Sequence, residues 1–264
     1  MSVYQNENAN CLRQALESIW SGQTLRPTEI VLVKDGPLTS ELDSVIDDFR
    51  QSAPMTVVAL ERNSGLGVAL NEGLKHCTCE LVARMDSDDI SKPKRFARQA
   101  EFMAEHTDIA VCGSWIDEFI GTTDNVVSQR RLPETSADIV EFGRKRNPLN
   151  HPTVMFRKSA VETVGGYEHF QWFEDYWLWA RMLKTGYRLY NIPESLLWFR
   201  TSADVYRRRG GWRYAMTEFK FQNSLRKLGF ISFADMIING SIRFSVRLLP
   251  NFLRKTFYDK LVRR

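Results

Sequence analysis

Strand-like and helix-like runs alternate through the first half of this chain, and that rhythm restricts the fold more than any other feature. Each of three short apolar runs is followed by a longer run with helical periodicity. The pairs occupy residues 29–33 and 42–50, 56–60 and 68–77, and 80–85 and 94–106. This order is typical of a largely parallel sheet with helices on its faces, so we predict an α/β fold.

Polar residues follow each of the three predicted strands. They are Asp35 after the first strand, residues 63–65 after the second and residues 86–89 after the third. Ligands bind such sheets beyond the carboxyl ends of the strands. We therefore expect the three segments to converge on one crevice.

The pattern changes from Ile109 onward to shorter strands separated by turns. Strands are predicted at residues 109–115, 126–130 and 153–156, with a helix at about 137–145. This half predicts a mixed sheet that builds the acceptor side of a site. Two later helices, at about 174–185 and 212–228, are each followed by a glycine.

Three carboxylates, those of Asp86, Asp88 and Asp89, follow the third strand. Close carboxylates repel one another, and a divalent cation such as Mg²⁺ or Mn²⁺ relieves the repulsion while leaving positions for phosphate oxygens. Such a DxD motif also occurs in phosphatases and calcium loops. Alternatively, this is an acidic turn that caps the next helix, with Pro93 near its first turn.

A second acidic pair, Glu174 and Asp175, stands among aromatic residues at the start of a predicted helix. A carboxylate in such surroundings can accept a proton from an attacking hydroxyl, and the rings offer stacking faces for a sugar. The alternative is ordinary end-capping, because a helix dipole also stabilises carboxylates in its first turn.

The order of these motifs resembles the family-2 glycosyltransferases, whose catalytic domain has the GT-A fold, a Rossmann-like mixed sheet with flanking helices. The resemblance covers about residues 1–200, and motifs in one order are more specific than any single motif. The segments are SVYQN at 2–6, ALESI at 15–19, QT at 23–24, EIVLVKDG at 29–36, NSGLG at 63–67, NEG at 71–73, DSDD at 86–89, NPLNHPTVMFR at 147–157, GGY at 165–167 and WFEDYWLWAR at 172–181.

The resemblance implies a nucleotide-sugar donor and assigns residues to it. Ser2 and Tyr4 match the turn that meets the nucleoside, and Asn63 and Gly65 match a loop that lines the donor pocket. Asp35 matches the second of two aspartates, the one that contacts a uracil-type base. Lys34 replaces the first of them, which leaves the nucleotide preference open.

The resemblance also implies the chemistry. Asp88 is the expected direct ligand of Mg²⁺ or Mn²⁺, Asp86 lies nearer the donor sugar or ribose, and Asp89 orients both. Asp175 is the expected base of a single displacement with inversion, and Glu174 assists acceptor binding.

Some further contacts to the acceptor or to phosphate are weaker expectations. His151, Trp172 and Arg181 match positions near the acceptor, although a lone histidine is as often structural. Residues 207–209 are three arginines that would meet pyrophosphate or a lipid phosphate, or else form an exposed basic loop.

Charge and hydropathy indicate a membrane surface as a partner. Residues 241–264 contain seven Lys or Arg and one Asp within a chain of net charge +4, interleaved with apolar side chains. We expect a peripheral protein on the inner face of the cytoplasmic membrane, or else a solvated last helix. The sequence shows no recognisable module that reads a nucleic-acid groove, so we do not expect nucleic acid as a partner.

We expect a cytoplasmic location, because the sequence lacks three features: a signal peptide, a membrane span and a disulfide pattern. The start of the chain is not a signal peptide, and the apolar run at 230–249 contains three charged residues, so it is a poor membrane span. The four cysteines show neither zinc-site nor disulfide spacing, which favours reduced thiols in a cytosol.

The predicted organisation is a GT-A catalytic domain at 1–205, with a nucleotide half to about 108 and an acceptor half from 109, followed by a helical, amphipathic, membrane-associating extension at 206–264. The resemblance implies transfer from a UDP-sugar to a saccharide or polyprenyl-diphosphate-linked acceptor in bacterial capsule, exopolysaccharide or lipopolysaccharide assembly. The first strand retains only residues 2–4, which leaves open an upstream start or a catalytically weakened, sugar-nucleotide-binding relative. A sugar nucleotidylyltransferase would need a Gly-rich basic loop near the start, which this sequence lacks.

Overall fold

The computed structural model describes residues 1–201 and 212–248. The strands are β1 (Ser2–Val3), β2 (Ile30–Lys34), β3 (Met55–Ala59), β4 (Leu81–Ala83), β5 (Ile90–Ser91), β6 (Ile109–Phe119), β7 (Val126–Arg130), β8 (Met155–Arg157) and β9 (Arg188–Arg200). The helices are α1 (Ala9–Ile19), α2 (Ser40–Arg50), α3 (Leu66–His76), α4 (Arg95–Glu105), α5 (Ser136–Gly143), α6 (Lys158–Thr163), α7 (Glu174–Lys184), α8 (Trp212–Lys227) and α9 (Phe233–Leu248), with a 3₁₀ turn at His151–Thr153. The predicted loop of three arginines at 207–209 and the end of the basic tail, 249–264, lie outside the described residues.

The first sheet is parallel, as the alternating pattern predicts. Its order is β1, β2, β3, and Val33 of β2 lies opposite Ser2 on one side and Val58 on the other. Because the strands run the same way, their carboxyl ends share one edge. The short strand β1 is paired with β2 along its whole length.

The second sheet is mixed, and its order is β4, β8, β6, β9, β5, with β7 paired to β6. Its centre is the long parallel pair of β6 and β9. Strand β9 was not predicted, because Pro193 and Glu194 interrupt its apolar pattern. Both residues lie in a shift of register, since Ile192 pairs with Ser114 and Ser195 pairs with the next residue of β6.

One hydrophobic core connects the two sheets. It includes Leu16 of α1, Leu32 of β2, Met103 of α4 and Ile116 of β6, all with almost no exposed surface. Each such side chain contributes about 2 kcal/mol by leaving water. A second core packs α7 against β6, β8 and α5. The α/β fold with a mixed sheet and flanking helices is therefore confirmed.

A third core attaches the C-terminal helices to the rest of the protein. Phe221 of α8 is fully buried and stacks on Phe173, with ring centroids 4.5 Å apart, and contacts Tyr176 of α7. Phe230 and Met236 complete this core. Among the described residues no helix is both long and apolar enough to cross a membrane.

Candidate active site

The acidic cluster lies in the turn between β4 and β5. One carboxylate oxygen from each of Asp86, Asp88 and Asp89 lies within 4.8 Å of the other two. The next helix, α4, is preceded by Lys94, whose side chain makes no capping hydrogen bond, and the Phe96 amide in its first turn donates to the Gln23 side chain at 3.1 Å. The carboxylates therefore do not cap α4, and that alternative interpretation of the sequence is wrong.

The electrostatics of the cluster suit a divalent cation. Burial, together with the neighbouring Asp86 carboxylate, raises the pKa of Asp88 to about 6. Burial raises the pKa of Asp89 well above its usual range, and one oxygen of this fully buried carboxylate has no partner among the described residues. Carboxylates that repel each other and lack partners are fitting ligands for Mg²⁺ or Mn²⁺. Asp86 and Asp88, being only partly buried, are placed to reach such an ion.

A buried arginine, Arg84, pairs with the cluster from the strand before it. Its side chain is 4 % exposed, and one terminal nitrogen donates to the Asp86 carboxylate. The Nε and the other terminal nitrogen have no partner among the described residues. Burial opposes the charged form, but the Asp86 carboxylate raises the pKa of Arg84 above its usual value. No motif of the sequence singles out Arg84, which stands there only as a lone arginine at the end of an apolar strand.

Arg200, at the end of β9, holds the backbone of the acidic turn. Its amide donates to Asp89 at 2.8 Å, and its Nε donates to the carbonyl of Asp88 at 2.8 Å. The guanidinium also donates to Gln14 of α1 at 2.7 Å. The turn is therefore fixed by β9 and α1, a contact that no motif indicated.

Asp35 lies at the carboxyl end of β2 and connects it to the next strand end. Its two carboxylate oxygens accept hydrogen bonds from the amides of Ser64 (2.6 Å) and Gly65 (3.1 Å), and the residue is 5 % exposed. Asn63 approaches Gly36 so closely that a Cβ there would lie 2.6 Å from the Asn63 amide. The two polar segments therefore converge at one edge of the sheet.

The end of β1 joins the same edge. The Asp35 amide donates to the carbonyl of Val3 at 2.8 Å, which places Tyr4 beside Asp35. Ser2 lies one residue earlier in β1, opposite Val33. The proposed nucleoside residues are thus adjacent to the Asp35 loop.

Asp175 occupies the first turn of α7, where the helix dipole favours a carboxylate. Asn147 donates its side-chain amide to one Asp175 oxygen at 2.6 Å. Burial raises the pKa of Asp175, while the Asn147 hydrogen bond and, more weakly, the charge of Arg84 act in the opposite direction. The positive charge of Arg84 therefore acts on both Asp86 and Asp175.

Glu174 and Trp172 lie beside Asp175. A Cβ on Gly67, at the start of α3, would be 3.3 Å from the Glu174 side chain, so the donor-side helix contacts the acceptor-side helix here. Burial raises the pKa of Glu174. Trp172 has a positive φ of 72°, is 40 % exposed and stacks on Tyr214 of α8 at 4.7 Å.

The Gly165–Tyr167 turn is held from both sides by polar side chains. Asn71 of α3 donates to the carbonyl of Tyr167 (2.6 Å) and accepts from its amide (2.8 Å). Arg181 donates to the carbonyls of Val164 and Gly166 and pairs with Glu168 at 3.0 Å. Its guanidinium is therefore engaged by the chain itself.

His151 packs behind this turn. Its Nε2 lies 2.9 Å from the Tyr167 hydroxyl, and its ring contacts those of Tyr167 and Trp179. Burial lowers the pKa of His151 well below its usual value. The neutral imidazole therefore supports the Tyr167 side chain.

The family model described as glycosyl transferase family 2 matches residues 1–165, more than half of the chain. The chain belongs to glycosyltransferase family 2.

Relatives of this family-2 glycosyltransferase extend over nearly its whole length. It is 39 % identical over 264 residues to an Escherichia coli UDP-Gal:alpha-D-GlcNAc-diphosphoundecaprenol beta-1,3-galactosyltransferase, covering all of this chain and 95 % of that protein. It is 38 % identical to the amylovoran biosynthesis glycosyltransferase AmsE of Erwinia amylovora, covering 98 % of this chain and 97 % of AmsE.

Solved structures share the fold at low sequence identity. Staphylococcus aureus TarS 1–349 in complex with UDP-GlcNAc has a TM-score of 0.63 and 18 % identity, covering 84 % of this chain and 64 % of TarS 1–349. The mannosyltransferase PcManGT of Pyrobaculum calidifontis, in complex with GDP-Man and Mn²⁺, has a TM-score of 0.56 and 14 % identity, covering 99 % of this chain and 79 % of that protein. The GT-A fold expected from the resemblance is confirmed.

The structure of this glycosyltransferase separates the predicted site residues into two groups. The first group lies at the ends of strands or the start of a helix. It comprises the residues at or after the ends of β1, β2 and β3, the acidic cluster after β4, and the pair Glu174 and Asp175 at the start of α7. Arg181 and His151 instead support the Gly165–Tyr167 turn. Arg84 and Arg200 are polar partners of the site that no motif singled out, and Asn147 lies in the segment at 147–157 without having been assigned a role.

Proposed function

We propose that this family-2 glycosyltransferase transfers a sugar from a UDP-sugar, with inversion, to a saccharide or polyprenyl-diphosphate-linked acceptor in bacterial surface-polysaccharide assembly. The observation that supports this most directly is the contact between the donor-side helix α3 and the acceptor-side helix α7, where a Cβ on Gly67 would lie 3.3 Å from the Glu174 side chain. Gly65 lies two residues before Gly67, and Asp175 follows Glu174 directly. These adjacent elements support a single site for donor and acceptor.

Asp88 and Asp86 would hold Mg²⁺ or Mn²⁺, with Asp89 orienting them from its buried position. When bound, the ion neutralises the charge that develops on the diphosphate as the sugar leaves. Arg84 donates a hydrogen bond to the Asp86 carboxylate and holds it in place.

The donor would bind along the edge formed by the ends of β1, β2 and β3. Ser2 and Tyr4 would meet the nucleoside, and Asn63 and Gly65 would line the pocket. Asp35 uses both of its oxygens to hold the loop that contains Ser64 and Gly65, so we expect it to order the pocket as well as to face the base. The UDP preference rests on the name of the Escherichia coli relative.

Asp175 would act as the base. It accepts the proton of an acceptor hydroxyl, the hydroxyl oxygen forms a bond to the anomeric carbon, and the bond from that carbon to the diphosphate oxygen breaks. The nucleoside diphosphate leaves from the opposite face, so the configuration inverts. Burial raises the pKa of Asp175, which makes the carboxylate a better proton acceptor.

The acceptor proposal rests on the same relative, whose name gives a diphosphoundecaprenol-linked sugar as its acceptor. Such a lipid lies in a bilayer, so the enzyme would work on the inner face of the cytoplasmic membrane. Trp172, Glu174 and the turn supported by His151 and Arg181 would form the acceptor side.

A donor screen tests the proposal. The full chain is incubated with UDP-sugars, Mn²⁺ or Mg²⁺ and membrane lipid extract, and released nucleoside diphosphate is measured. We expect UDP release with one donor and a roughly 10²–10⁴-fold loss in Asp175→Asn with UDP binding retained. Asp47→Asn, at a side chain 73 % exposed on α2, is the matched control.

Two outcomes would favour the alternatives. UDP binding without release under every condition would identify a catalytically weakened relative. Consumption of added pyrophosphate, with formation of UTP and sugar 1-phosphate from the UDP-sugar in place of nucleoside diphosphate, would indicate a nucleotidylyltransferase.

A further inference from the structure

The outer surface of α8 and α9 is apolar and exposed to solvent. Its large hydrophobic side chains are between 37 and 64 % exposed. We call this surface the hairpin face. It consists of Trp212, Met216 and Phe219 of α8 and Phe233, Ile237, Ile238 and Ile242 of α9.

The seven side chains belong to one surface, because the two helices pack on each other. A Cβ on Gly240 of α9 would lie 3.6 Å from the Phe219 ring. The opposite side of the same helices is buried in the third core against α7. Both sides of the helix pair are therefore apolar, and among residues 1–201 and 212–248, which the structure describes, only the inner side is covered. A contiguous apolar patch of this kind marks an interaction site.

The exposed charges of the two helices, up to Arg243, have one sign. Every exposed charged residue of α8 is basic, namely Arg213, Lys220, Arg226 and Lys227. The acidic residue of that helix, Glu218, is 2 % exposed and pairs with Arg243 of α9. The acidic residue of α9, Asp235, is half-buried and accepts hydrogen bonds from Ser232.

We propose that the hairpin face inserts into the interfacial layer of an anionic lipid bilayer. An apolar face bordered by Lys and Arg is the pattern by which a helix lies in the plane of a membrane. Apolar burial then adds to the attraction between the basic border and anionic headgroups. The face lies within the predicted membrane-associating extension at 206–264, and Ile242 is its one residue from the basic tail at 241–264.

Charge also separates this partner from two others. A two-fold dimer through the hairpin face would bring the same basic border from each copy together. The segment at 249–264 contains five Lys or Arg and one Asp, so it would meet like charge on this surface. An anionic bilayer is the partner whose charge complements the border.

Docking in this way would bring the bilayer to the reaction site. The helix pair packs on Phe173 and Tyr176, which flank Glu174 and Asp175, and Tyr214 stacks on Trp172. A lipid-linked acceptor would then reach Asp175 from the interface. This consequence rests on the proposed function, whereas docking itself does not.

Vesicle flotation of the full chain tests the docking. We expect binding to phosphatidylcholine vesicles containing phosphatidylglycerol and weak binding to phosphatidylcholine alone. The double variant Phe233→Asp/Ile238→Asp should bind at least about tenfold more weakly, because charges replace two inserting side chains. Leu25→Asp/Ile120→Asp adds the same charge at two apolar sites elsewhere, which are 47 and 46 % exposed, and should bind as the unchanged chain does.

A second variant tests the basic border without touching apolar packing. Lys220→Glu/Lys227→Glu should lose the preference for anionic vesicles and the sensitivity of binding to salt. Circular dichroism and the unfolding midpoint verify that each variant is folded.

Unchanged flotation of both variants would overturn the proposal. So would a dimer that the Phe233→Asp/Ile238→Asp variant dissociates while its flotation stays unchanged, since a second copy would then cover the face. UDP release from a UDP-sugar in the presence of a water-soluble acceptor analogue separates the docking from the proposed function. If the unchanged chain releases no UDP in this assay, the result counts against the proposed function and leaves the docking result standing.

Discussion

Asn147 is the side chain that controls the ionisation of the proposed base. Its amide donates to Asp175 and stabilises the ionised carboxylate, which lowers a pKa that burial raises. We predict that Asn147→Ala raises the pKa of Asp175 further. A base must be deprotonated to act, so the acidic limb of the kcat profile should move to higher pH while activity at high pH is largely kept.

The measurement is kcat against pH for the unchanged chain and the variant at saturating donor. Asn223→Ala, on the surface of α8, provides a control at an amide remote from Asp175. An equal loss of kcat at every pH, with no shift of the acidic limb, would contradict the assigned role of Asn147.

Asp88 is predicted to carry the metal dependence. Asp88→Asn should lower transfer by at least about a hundredfold at fixed Mn²⁺, because a bound ion supplies several kcal/mol of charge stabilisation. Mn²⁺ affinity, measured by calorimetry on the protein with UDP, should fall in parallel. Asp47→Asn should leave both quantities unchanged, and an Asp88→Asn protein with normal Mn²⁺ affinity would remove Asp88 from the ligand set.

Motifs predicted the carboxylates of this site but not their partners. Asp86, Asp88 and Asp175 could be found because three acids in a short turn, or two before a helix, are unusual in sequence. Arg200 pairs across the fold with a turn more than a hundred residues earlier, and one sequence contains no local signal for such a pairing. Arg84 is only two positions from Asp86, but its burial depends on the packing of the whole fold, which the sequence pattern does not show.

At the scale of the elements, the loops after β2 and β3 form one unit. Gly36 has a φ of 87°, and a Cβ there would lie 2.6 Å from the Asn63 amide. We predict that Gly36→Ala displaces the loop at 63–65 and weakens UDP binding. The added methyl group would overlap the Asn63 backbone, which must shift to make room for it.

Gly121→Ala is the matched control for this change. Gly121 has a φ of 76°, and no atom lies within 4 Å of the position that a Cβ would occupy there. Its alanine variant therefore has the backbone strain alone, about 1–2 kcal/mol. UDP affinity by calorimetry and the free energy of unfolding are measured for both variants. Equal UDP affinities in the two would show that the Gly36 contact does not shape the pocket.

Element prediction succeeded where periodicity was local and failed where it was interrupted. The helix α7 ends at Lys184, just before Gly186 with its φ of 92°, much as the sequence indicated. The strand β9 was missed because a bulge at Pro193 interrupts its pattern, although it lies at the centre of the second sheet. Its partner, β6, also continued to Phe119, beyond the predicted end at residue 115.

At the scale of the whole molecule, the C-terminal helices share a core with the proposed base. The sequence pattern predicted a helical, membrane-associating extension from residue 206 onward, and Arg243 belongs to its basic tail. In the structure Arg243 points inward, where it pairs with Glu218. Sequence periodicity could not decide this, because both sides of the helix pair are apolar.

We therefore predict that Phe221→Ala destabilises the catalytic domain as well as α8. Phe221 is fully buried and stacks on Phe173, the residue that precedes Glu174 and Asp175. Its truncation should lower the free energy of unfolding by about 3–5 kcal/mol. Because Phe173 supports the first turn of α7, kcat should fall in the same variant at a temperature where it is still folded.

Phe233→Ala is the matched control, since the same side chain is removed from a site that is 64 % exposed. Its free energy of unfolding in solution should change little. Urea unfolding is followed both by circular dichroism and by tryptophan fluorescence. Coincident transitions that shift together in Phe221→Ala would mean that the helix pair and the catalytic domain unfold as one unit. An early separate transition, with kcat unchanged, would mean that the helices are an independent appendage and that Asp175 is positioned without them.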